Sequence, residues 1–175
     1  VSRDCIISFT LSGHGCSGVV CINGEIVAGS SLERISRIKN DLLFPITKQD
    51  LDVFGWKSNP DIYKKSLDLP FDFSLTPEDI KFDESESFNK FFQYLIRAAN
   101  IQLSDVDCVV YSYRYVDQAR DYFLKIAPHA EFIVPEHHFS HACQAFLSSP
   151  YQEAAIMVVD GQGVPMERTY GDQLA

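Results

Sequence analysis

The dipeptide Asn23-Gly24 stands between two apolar runs, residues 18–22 and 25–28, and constrains this chain more than any other feature. Both central positions of a two-residue hairpin turn need positive φ, which Asn and Gly tolerate, so strand–turn–strand is predicted there. Residues 5–11 form an earlier apolar run, set off by the punctuation Ser12-Gly13-His14-Gly15. Three consecutive antiparallel strands are therefore predicted to open the chain.

Further along, residues 32–39 are short, basic and helix-like, and they stop before Phe44-Pro45. Thr47 is placed as the N-cap of a helix over 47–54. A stretch near 56–86 mixes three prolines with charges and aromatics and has no sustained period, so it reads as a loop-rich insertion. Its Phe71, Phe73 and Phe82 are expected to pack on the body. From Ser87 to Asn100 the residues Phe88, Phe91, Phe92, Leu95 and Ile96 recur at helical spacing, giving an amphipathic helix. A strand over 106–112, a helix over 116–126, a strand over 131–134, a helix over 136–147 and a strand over 154–159 follow. Such alternation with short connections predicts an α/β fold with a mainly parallel sheet covered by helices. Three antiparallel strands leading into βαβ units are the layout of the ribonuclease-H-like domain of the actin-like ATPase superfamily. A layout alone does not fix a function.

The net charge of −9 argues against a nucleic-acid partner, because phosphate backbones demand a basic face. Five cysteines without a C-x-x-C pair, set mostly among apolar residues, read as buried thiols in a reducing compartment. No apolar run approaches the roughly 18 residues of a membrane span, and the first residues lack a signal-peptide pattern. The expected location is cytoplasmic, with no membrane partner. The chain lacks an initiator Met and ends in a polar stretch over 161–175, so a fragment is expected.

The sharpest chemical feature is Glu136-His137-His138-Phe139-Ser140-His141-Ala142. On a helix, residues four apart share a face, so His137 and His141 can offer two imidazoles to one ion, while His138 points about 100° away. A histidine-rich helix start or a hydrogen-bonded pair explains the same spacing. Asp160 closes the apolar run 154–159 and precedes Gly161-Gln162-Gly163, where glycines let a phosphate approach the backbone. An ordinary Asp-Gly turn is the bland reading. Two imidazoles and a carboxylate suit Fe(II), Zn(II) or Mn(II). His14, flanked by glycines in the first turn, is a candidate acid–base group, or an ordinary solvated turn histidine. Arg34, Arg37 and Lys39 gather three cations in an acidic chain; they suit a phosphate, or form a solvated helix face.

Taken in order, these segments resemble the O-carbamoyltransferases of nodulation-factor and antibiotic biosynthesis. The likeness lies in Gly13-His14-x-x-Ser17, Asn23 to Ala28, Leu32-Glu33-Arg34-Ile35-Ser36-Arg37-Ile38-Lys39-Asn40-Asp41 before Phe44-Pro45, His137 to Ala142, and Glu153 to Gly161. It covers about residues 5–45 and 105–163, and it implies that residues 1–175 are the N-terminal half of a metal-binding domain similar to that of tRNA threonylcarbamoyl-transferring enzymes. The resemblance implies a divalent metal, foremost Fe(II), with Zn or Mn as alternatives, held by His137, His141 and Asp160. It implies His14 and Lys39 as catalytic groups, with Arg37, Lys39, His138, Gly161 and Gly163 at the substrate. The implied substrates are carbamoyl phosphate, ATP as co-substrate, and a hydroxyl-bearing small molecule, joined through a carbamoyl-adenylate. Val164-Pro165 departs from the acidic residue usual after the Asp-Gly-x-Gly turn. Such relatives carry a second half of the fold and a further C-terminal domain, so these residues alone are not expected to complete the reaction. Two alternatives stand beside this reading: a metal- or nucleotide-binding module without turnover, and a relative of the tRNA threonylcarbamoyl transferases, which the acidic balance disfavours.

Overall fold

The computed structural model describes residues 4–12, 15–39, 41–48 and 72–159. The chain divides into two compact units, Val1–Val134 and Pro135–Ala175.

In the first unit, strand β1 (Cys5–Ser12) alternates so that Cys5, Ile7, Phe9 and Leu11 are buried. It runs antiparallel to β2 (Gly15–Ile22), with Phe9 opposite Gly18. The predicted hairpin forms: Asn23 and Gly24 have φ of 51° and 84° and lead into β3 (Glu25–Ser31), antiparallel to β2. Asn23 is also tied to the start of β1, its N–H donating to the Asp4 carbonyl at 2.8 Å. Helix α1 (Leu32–Ser36) is a single turn whose Leu32 is buried. It is shorter than the basic segment suggests because Arg37 turns left-handed, with φ 64°, and ends it.

Helix α2 (Glu86–Ala99) starts where the hydroxyl of Ser85 caps the Phe88 N–H and stops at left-handed Asn100. Its stripe Phe88, Phe91, Phe92, Leu95 and Ala99 is buried. Phe9 of β1 meets Phe88, Phe91 and Phe92 at 5.7, 6.0 and 5.8 Å between ring centroids. Gly18 permits this approach, since a Cβ there would lie 2.8 Å from Phe9 and 2.9 Å from Leu95. The chain then returns to the sheet as β4 (Cys108–Tyr113), parallel to β1. Asp107 sets that register: its carboxylate accepts from the Cys5 N–H at 2.8 Å and its own N–H donates to the Cys5 carbonyl at 2.9 Å. Helix α3 (Val116–Ile126) buries Ala119 and Phe123, with Phe123 stacked on Phe9 at 5.5 Å, so α2 and α3 share one face of the sheet. Strand β5 (Glu131–Ile133) lies parallel to β4.

The sheet order is β3-β2-β1-β4-β5. The fold is mixed α/β: the opening meander forms as expected with two antiparallel ladders, and the strands after it add two parallel ones. The described part of the predicted insertion forms a short 3-10 turn at Pro77–Asp79 that is opened by a Thr76–Asp79 capping box. Phe82 packs as expected against Phe44 and Phe88, whereas Phe73 is 49% exposed and Phe71 lies outside the described residues. Of the predicted helix 47–54, residues 49–54 also lie outside them. None of the five cysteines is in a disulfide, and Cys5, Cys16 and Cys108 are buried.

The second unit contains helix α4 (His137–Leu147). The expected strand over 154–159 is not formed: these residues have no strand pairing, with Met157 at 87% and Val159 at 82% exposure. An apolar run states a need for burial, but a strand exists only when a neighbour offers its ladder, and no described strand offers one here. No helix among the described residues is long and apolar enough to cross a membrane.

Candidate functional site

Glu136 caps helix α4. The Glu136 carboxylate accepts from the N–H groups of His138, at 3.0 Å, and Phe139, while the Ser140 hydroxyl donates to the Glu136 carbonyl at 2.9 Å. Chiefly the His138 N–H, and then that of Phe139, hold the Glu136 carboxyl below its usual range. A carboxylate at this position also faces the positive end of the helix dipole.

The cap fixes where the imidazoles stand. His137 and His141 come together, with centroids 4.6 Å apart and planes at 80°. His138 sits to one side, 5.5 Å from His137, with its Nδ1 3.9 Å from a Glu136 oxygen. The spacing is that of an edge-to-face ring pair, close enough for both rings to reach one divalent ion, and neutral imidazole nitrogen is the correct donor type. Asp160, Gly161 and Gly163 lie outside the described residues, and among those residues no group of three His, Cys, Asp or Glu is arranged to hold a metal.

In the first unit, the candidate anion-binding residues lie in and just after α1. Arg37 and Lys39 are exposed, and Arg34 is spent partly on its neighbour Glu33 at 3.9 Å. His14 lies outside the described residues.

The segment after these cations is held down by a residue that sequence reasoning passed over. Arg114, just beyond the C-terminal end of β4, is only 2% exposed. Its guanidinium donates to the carbonyls of Pro45 at 2.7 Å and Phe44 at 3.3 Å and to the Tyr115 hydroxyl at 2.7 Å. It also lies 4.7 Å over the Tyr115 ring. The Tyr111 hydroxyl donates to the Arg114 carbonyl at 2.6 Å, and burial pushes that phenol well above its ordinary pKa. The tyrosines at 111 and 115 beside Arg114 in the sequence were the available signal: aromatic faces and hydroxyls are what a buried guanidinium needs. Leu42, Ile46 and Thr47 are buried on either side of the clamped carbonyls. A shallow depression of about 780 Å³ along α2, lined by Glu84, Lys90, Tyr94 and Arg97 among others, contains none of these residues.

Comparison of the chain with known family models finds no match, and comparison with curated proteins finds none.

Proposed function

We propose that this chain belongs to a class of metal-dependent group-transfer enzymes built on a ribonuclease-H-like domain. Within that class the reading is an O-carbamoyltransferase, moving a carbamoyl group from carbamoyl phosphate, through a carbamoyl-adenylate formed with ATP, to the hydroxyl of a small molecule. The observation that supports it is the His137–His141 pair on a helix capped by Glu136, with ring centroids 4.6 Å apart. The three-strand meander passing into parallel β4 and β5 supports the fold assignment.

His137 and His141 would hold the metal, foremost Fe(II), with Asp160 proposed as the third ligand. A bound divalent cation supplies Lewis-acid polarisation of an oxygen. In the transfer step the acceptor oxygen forms a bond to the carbamoyl carbon and the bond from that carbon to the adenylate oxygen breaks, releasing AMP. His14 is proposed to manage the acceptor's proton. Arg37 and Lys39 would meet the phosphate, Arg37 through paired N–H donors and Lys39 as a point charge. His138 and the backbone at Gly161 and Gly163 are proposed to contact substrate. A protein with this site located in the cytoplasm would need no membrane or nucleic-acid partner.

Metal analysis of wild type beside His137→Ala and His141→Ala tests the reading. About one equivalent of metal in wild type and at least a tenfold loss of affinity in each variant are expected. Equal metal content in all three would remove the proposal's basis.

A further inference from the structure

We draw no further inference here: the strongest candidate, the apolar band on the face of the sheet turned away from α2 and α3, where the strand registers align Ile26, Cys21 and Ile6 in one row and Val19, Val110 and Ile133 in the next, carries nothing because nothing among the described residues shows what covers it.

Discussion

Replacing Arg114 with Met keeps an unbranched stem and deletes the guanidinium, which isolates what the buried charge contributes. Among the described residues its bonds to Pro45 O and the Tyr115 hydroxyl are short, at 2.7 Å, and that to Phe44 O is longer at 3.3 Å. Hydrogen bonds to charged groups contribute about 1.5–3 kcal/mol each, and a guanidinium over an aromatic ring about 0.5–1 kcal/mol or more. Against this stands the cost of keeping a charge out of water, several kcal/mol, which Met does not bear. The Tyr115 hydroxyl also still reaches Pro45 O at 3.3 Å, so only part of the acceptor set is stranded. The net expectation is a loss of about 2–4 kcal/mol, with Arg114→Lys between wild type and Met because a point donor cannot serve acceptors on both sides. Urea unfolding measures the loss, and amide hydrogen exchange locates it. Exchange should accelerate first at Leu43 and its neighbours in 41–47, ahead of β1 and β4. A loss below about 1 kcal/mol, or unchanged protection in that segment, would refute the view that Arg114 holds it.

Two further outcomes follow from the core. Gly18→Ala should destabilise by about 1–3 kcal/mol through overpacking, because its Cβ would meet Phe9 at 2.8 Å and Leu95 at 2.9 Å. Combining it with Leu95→Ala should recover part of that loss, and strictly additive urea-unfolding energies would show that the contact is not the cause. Cys16 makes stability fall in alkali. Its folded pKa of about 12 lies above the ordinary 9.0, so the unfolded chain gives up the proton first, and the contribution is intact below about 9 and lost as pH rises towards 12. Between pH 8 and 10.5 wild type should therefore lose stability more steeply than Cys16→Ala, by up to about 1.4 kcal/mol per pH unit; parallel slopes would contradict it.

Most of the first unit was legible in its sequence because its signals are local. Asn23-Gly24 specifies a hairpin wherever the strands go, and the Phe88–Leu95 stripe specifies a helix face before its partner is known. The matching bounds of α3 have the same origin, a period that starts and stops within the element. Strand 154–159 failed for the opposite reason: its apolar letters say that it should be covered and nothing about by what.

The candidate sites divide along the same line. His137 and His141 are a spacing on one helix, and the cap that positions them, Glu136, is the adjacent residue, so their meeting could be anticipated from the sequence. The surroundings of Asp41 and Arg114 could not. Arg114 reads as a surface charge until β4 is laid beside β1 and the Phe44-Pro45 segment is brought against it from about 70 residues away. Asp41 reads as one more acid in a chain of net charge −9 until that same packing buries one of its oxygens. A local rule can thus suggest that this protein holds a metal. The environment of the buried Arg114 guanidinium and of the buried Asp41 oxygen, by contrast, is created only by the tertiary fold.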